Sequence, residues 1–140
     1  MHCPICGINI PRYVLTTVTG FIFLFATDYL IHGTILKDIY AETAELWRPE
    51  SDMKTYLPFM LAGQFLIAAI TAFIFTRNYE GKGFQEGVRF GILLGLLFSV
   101  MMSISYVWLP ISLLLAIYWA CAGLMQGLGL GIIFSLTYRK

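Results

Sequence analysis

Asp28 and His32 stand one helical turn apart near the end of a long apolar run, and a step of four places both side chains on one helix face. A carboxylate at the centre of a bilayer costs about 3 kcal/mol unless it is paired or solvated, so Asp28 needs a partner. Two readings follow from that need. In the chemical one, Asp28 and His32 form a site for protons or a divalent cation, joined by Asp38, Glu42 and Glu45 from the segment that follows. In the structural one, Asp28 fixes the His32 tautomer, or bonds Tyr29, Tyr106 or Gln126, and so fastens the helix ends. Gln64 and Gln126 are the other polar groups deep in apolar stretches. An unsatisfied amide in hydrocarbon is costly, so each should face protein; interhelical hydrogen bonding is the ordinary outcome and contact with a substrate the alternative.

The run His2-Cys3-Pro4-Ile5-Cys6-Gly7 brings two thiols to a tight turn. Its Cys-Pro-x-Cys-Gly core resembles one knuckle of a zinc ribbon or rubredoxin site. A closed structural zinc site needs four ligands. Cys3 and Cys6 with His2 supply three, and a second copy or a neighbouring subunit would have to complete the set. The alternatives are a pair of unmetallated thiols and a redox dithiol. Cys121 lies among small residues in mid-span and reads as a packing residue. A quinone-linked four-helix thiol oxidoreductase fits poorly, because those proteins carry the redox pair on the outer face with further cysteines. A haem held by His2 and His32 fails too, since the two are expected on opposite faces.

Four apolar stretches must position these residues: 13–31, 56–76, 87–108 and 110–136. A helix of about 20 residues crosses the roughly 30 Å hydrocarbon core. The chain is 59% hydrophobic and 12% charged, against about 25% charged in a soluble domain. The expected fold is therefore all-α, a polytopic four-transmembrane-helix bundle forming a single domain over 1–140. Residues 1–12 form a tail with the knuckle, and 33–55 an acidic connection. A net charge of +1 provides no basic face for nucleic acid. The opening residues lack the basic start and small-residue cleavage site of a signal peptide, so the first span is expected to be retained.

Arg12, Arg77, Lys82, Arg89, Arg139 and Lys140 fall on one side of this threading, and Lys37, Arg48 and Lys54 on the other. The positive-inside rule then puts both termini in the cytoplasm and 33–55 outside. Within that connection, Leu36, Ile39, Tyr40, Ala44 and Trp47 recur at helical steps, opposite Lys37, Asp38, Glu42, Glu45 and Arg48. That spacing predicts an amphipathic helix at the interface, or one continuing the first span past a bend near Gly33. Pro49 should end it, and Ser51 or Asp52 should cap the second span. Pro110 is expected in the first turn of the fourth helix. Tyr106, Trp108, Tyr118 and Trp119 are expected in an aromatic belt.

Gly87, Gly91 and Gly95 form a small-residue stripe, as do Gly123, Gly127 and Gly131. Such stripes let helix backbones approach closely. They pack either on each other as a hairpin or on another protomer or subunit. Gln64 and Gln126 each precede an arginine, Arg77 and Arg139, by the same interval, and 21–29 can be laid over 98–106. That correspondence suggests a weak internal duplication with both halves crossing in the same sense.

The stretch Asp28-Tyr29-Leu30-Ile31-His32-Gly33, followed by Lys37-Asp38-Ile39-Tyr40, is similar to the end of the first helix in small bacterial four-helix inner-membrane families of unknown function. Trp119 and the glycine-rich last span look like their final helix. His32 departs from that pattern, where an apolar or aromatic residue is commoner. The resemblance implies a fold and an inner-membrane location but no activity. No nucleophile with its base, phosphate loop or complete metal motif is present, so the leading expectation is a non-enzymatic interaction or accessory subunit of a membrane complex or homo-oligomer. The alternative is a small carrier or sensor for protons or a divalent metal built on Asp28 and His32. A lipid- or quinone-linked enzyme ranks third.

Overall fold

Each apolar run folds into a helix whose limits are set by a capping side chain or a backbone break. The computed structural model describes residues 7–139. His2, Cys3 and Cys6 lie outside the described residues. Among the described residues the chain is all-α: α1 (Ile10–Leu30), α2 (Lys37–Ala41), α3 (Glu50–Arg77), α4 (Phe84–Ser103) and α5 (Leu113–Thr137). With their terminal turns, four helices are long and apolar enough to cross a membrane: Ile10–Ile35, Glu50–Arg77, Phe84–Val107 and Leu113–Thr137. The protein is thus a multi-pass membrane protein with a four-helix bundle.

Asn9 opens α1 by accepting the Arg12 N–H on its side-chain oxygen, with Pro11 in the first turn, where its missing N–H costs nothing. Ser112 opens α5 in the same way, accepting from Leu115 N–H at 3.1 Å. That cap sets the helix start, so Pro110 lies in the connection and not in the first turn. Pro49 directly precedes α3 and closes the segment before it. Neither Ser51 nor Asp52 caps α3: both lie within it, and the Ser51 hydroxyl donates to the Asp52 carboxylate at 3.3 Å.

The first span continues past a bend at Gly33, one of the two expected forms, but the amphipathic segment that follows is broken into short pieces. After Leu30 the helix widens into a π-turn over Ile31–Ile35, with the Leu36 N–H donating to the Ile31 carbonyl at 2.8 Å. The short α2 follows, then a 3-10 turn at Ala44–Leu46. The apolar face holds nonetheless. Leu36 is 1% exposed, and Ile39, Tyr40, Leu46 and Trp47 pack on a cluster with Ile111, Leu115 and Trp119. Ala44 is exposed, because the chain has left helical phase by then.

The two glycine stripes face each other along α4 and α5. A Cβ at Gly91 would lie 2.9 Å from the Leu128 Cα, and one at Gly123 would lie 2.7 Å from the Ser99 backbone nitrogen. At Gly127 it would overlap the backbone of Gly95. Lipid tails are as apolar as the helices, so this close dispersion contact supplies the association that hydrophobic burial supplies in water. Both stripes are used within the chain.

At one end of the bundle, Phe75 of α3, Phe90 of α4 and Phe134 of α5 pack with ring centroids 5.3 to 6.3 Å apart. There the Asn9 backbone N–H donates to the Tyr138 phenol oxygen at 3.2 Å, and its side-chain amide donates to the Arg139 carbonyl at 3.3 Å. The two ends of the described chain therefore meet, and this is the terminal end. The α3–α4 turn also lies there. The buried Glu86 carboxylate accepts the backbone N–H groups of Glu80 and Lys82 at 2.7 and 2.9 Å. Glu80 in turn pairs with Arg89 and Lys82, which hold its carboxyl down to about 2. The segments 31–49 and 104–112 form the opposite, distal end. Toward it α3 stands out from the bundle, with every residue of 50–60 exposed and the Arg48 guanidinium 4.1 Å over the Tyr56 ring.

Candidate functional site

The polar groups of the spans converge on Asp28. Gln64 from α3 donates its amide N–H to Asp28 Oδ2, and Gln126 from α5 donates to Oδ1 at 2.5 Å. The Gln126 amide also donates to the Thr27 hydroxyl oxygen at 3.1 Å, and that hydroxyl donates to the Phe23 carbonyl. Hydrogen bonds to a charged group stabilise by about 1.5–3 kcal/mol each. Two of them offset the roughly 3 kcal/mol cost of a carboxylate at this depth. Gln64 and Gln126 hold corresponding places in the suggested duplication, and they grip the same carboxylate from either side.

Depth follows from helix rise. Gln64 lies close to the middle of α3, so about 20 Å of helix separates it from either end. The first turns of α3 carry Glu50, Asp52 and Lys54, and Asp28 lies two residues from the end of α1, so the carboxylate sits in the apolar zone toward its distal side. The amides cover it incompletely: the Asp28 side chain is still 30% exposed and His32 is 32% exposed.

His32 lies in the π-turn, and its Nε2 is 3.9 Å from Asp28 Oδ1, beyond direct hydrogen bonding but within ion-pair reach when the ring is protonated. Its Nδ1 is 2.6 Å from the Tyr40 phenol oxygen, and the two rings stack. Trp119 donates its indole N–H to the same oxygen at 2.8 Å. An indole N–H can only donate. Every group finds a partner if the phenol accepts from Trp119 and gives its own proton to Nδ1, which leaves the neutral imidazole proton on Nε2, toward Asp28. Trp47 packs edge-on against both Tyr40 and Trp119. Burial pushes the Tyr40 phenol above its ordinary value; the Trp119 N–H opposes that shift and the Asp28 charge adds to it.

His32 is a wall shared by two cavities. A distal one of about 710 Å³ is lined by Tyr29, Lys37, Tyr40, Trp47, Arg48 and Trp119, among others. A deeper one of about 310 Å³ lies between α1, α3, α4 and α5 and includes Asp28, Gln64 and Gln126. Toward the terminal end lies the packed Phe75, Phe90, Phe134 and Leu130 cluster, with Thr16, Thr17, Thr71 and Ser135 buried in the same half of the bundle.

Several expected participants are elsewhere. Asp38, Glu42 and Glu45 are exposed, and among the described residues no group of three or more His, Cys, Asp or Glu side chains is placed to hold a metal. The broken connection turns its apolar face inward, so Tyr40 reaches His32 while the acids point away. Tyr29 is 70% exposed and Tyr106 lies at the surface, so neither serves Asp28. Trp119 is buried and does not join the belt expected with Tyr106, Trp108 and Tyr118, all of which are exposed. In the sequence Tyr40 stands on an apolar face with no sign of a bond to His32. Its spacing from His32 carries a signal only once the helix is known to break at Leu36.

Comparison of the chain with family models, with curated proteins and with solved structures finds no match.

Proposed function

We propose that this protein is a non-enzymatic membrane sensor of protons or small cations, with Asp28 as the binding group and His32 and Tyr40 as its connection to the distal cavity. The observation that carries the reading is one carboxylate, deep in the bundle, gripped by amides from two helices and left partly open beside an imidazole that bonds Tyr40. Proton or cation uptake at Asp28 changes the charge facing His32. The chain His32–Tyr40–Trp119 then links that change to the packing of 31–49. A sensor is favoured over a carrier because packed aromatic rings fill much of the terminal half of the bundle. The distribution of Lys and Arg supports a cytoplasmic terminal end and a distal end facing outward, in the inner membrane that the resemblance implies.

The test uses protein reconstituted in liposomes, with Trp47 and Trp108 changed to Phe so that Trp119 is the sole emitter. Acidifying the distal side should change Trp119 emission, and Asp28→Asn or His32→Gln should abolish the response while a dye in the lumen stays silent. A response indifferent to both substitutions contradicts the proposal.

A second reading, an accessory or self-associating subunit, is supported by the exposed start of α3, where Phe59 is 75% exposed. The glycine stripes no longer support it, being used internally. Purification from native membranes as a monodisperse monomer with nothing bound would count against it.

A further inference from the structure

The deeper cavity is flanked by exposed apolar side chains, Ile67 at 43% and Met101 at 62% exposure. Its walls are apolar, formed by Leu24, Ile67, Phe98, Met101 and Met102, and its floor is Asp28 with Gln64, Gln126 and His32. α3 and α4 meet at the terminal end through Phe75 and Phe90, whereas the distal part of α3 stands exposed. The space between these two helices therefore widens toward the distal end, giving lateral entry from the bilayer.

The floor holds one carboxylate, toward which the His32 Nε2–H is turned at 3.9 Å without reaching it. The N–H groups of Gln64 and Gln126 that face Asp28 are spent on it. The Gln64 carbonyl oxygen is buried without a hydrogen-bond partner, in a side chain 7% exposed. Among the described residues, the only ion-pair partner of Asp28 is His32, at 3.9 Å. An anion or a pure acceptor would meet like charge and lone pairs. A cation bearing N–H donors would neutralise the carboxylate, which is costly to leave uncompensated in low dielectric. Gln64 and Gln126 lie near the middles of α3 and α5, whereas Asp28 and His32 lie toward the distal end of α1.

We propose that the cleft between α3 and α4 binds a compact lipophilic amine, its ammonium on the partly exposed Asp28 carboxylate and its hydrocarbon part against Ile67, Phe98 and Met102. This rests on the reading of Asp28 as the binding group and names the cation class it takes.

The test measures thermal unfolding in phosphatidylcholine nanodiscs with octylammonium, octanol, octanoate or methylammonium. A ligand that binds only the folded state raises the midpoint in a saturable way. Octylammonium alone should do so, and Asp28→Asn should weaken its apparent affinity by about tenfold or more, a loss of about 1.4 kcal/mol. Ile67→Trp, at a lipid-facing position, fills the cleft with Asp28 intact and should remove the shift even if Asp28→Asn folds poorly. Equal shifts from octanol or octanoate, an equal shift from methylammonium, or an octylammonium shift that survives Ile67→Trp would each overturn the inference. The Trp119 experiment is independent of this one. A Trp119 response without amine binding removes only the inference, and amine binding without a Trp119 response removes only the sensing reading.

Discussion

The Tyr40 phenol oxygen lies 2.6 Å from His32 Nδ1, although eight residues of straight helix would part them by about 12 Å along the axis. The π-turn at Ile31–Ile35 and the break at Leu36 close that distance. Such turns are rare and recur at functional sites. Tyr40→Phe removes the acceptor of the Trp119 indole N–H, in a side chain 9% exposed. The expected cost is about 1–2 kcal/mol, read as a lower unfolding midpoint in mixed micelles. An unchanged midpoint would show that Trp119 does not depend on that oxygen.

The same phenol gives a pH dependence outside the spans. Burial raises its value above 10.0 in the folded state. A raised value means that its contribution to stability is fully present below the unfolded value and is lost as pH rises through the folded one. Thermal stability should therefore decline above about pH 10, and the decline should be shallower in Tyr40→Phe. Parallel curves for the two proteins would contradict this assignment.

Gln64→Leu and Gln126→Leu should each destabilise by about 1–2 kcal/mol, because each strips one donor from a carboxylate inside the bilayer. In an Asp28→Leu background the same changes should be neutral or stabilising, since the amides have lost their acceptor. A double-mutant cycle on unfolding in micelles reads the coupling directly. Additive effects would mean that the three side chains do not act as a unit.

Two glycines distinguish packing from propensity. Gly127→Leu must push α4 and α5 apart, because even a Cβ there overlaps Gly95. A loss of about 3 kcal/mol or more, or failure to assemble, is expected. At Gly63 an added Cβ meets nothing within 4 Å, so Gly63→Ala should stabilise by up to about 1 kcal/mol through helix propensity. Thermal unfolding of both variants checks the contrast.

The sequence made the bundle readable because charge must avoid hydrocarbon, so the spans declare themselves by length. The glycine stripes declare a close contact in the same way, and the structure shows which helices share it. The site was only partly legible. The need of Asp28 for a partner, and of Gln64 and Gln126 for a protein face, follows from desolvation alone. That both amides meet the same carboxylate depends on how α1, α3 and α5 align along their axes, which no local pattern encodes. Asp38, Glu42 and Glu45 misled because a continuous helix from His32 would keep acids near it. The π-turn resets the phase and brings Tyr40 inward in their place. Trp119 resembled an interfacial aromatic, since a belt residue and a buried indole with a distant acceptor look alike in one dimension.

Infrared difference spectroscopy of the protein in lipid, recorded on stepwise acidification with Asp28→Asn as the reference, tests the central claim most directly. The account predicts that a protonated-carboxyl stretch appears in the wild type while the amide bands keep their helical form, and that Asp28→Asn lacks it. A spectrum identical in both proteins over the whole range in which they stay folded would contradict it.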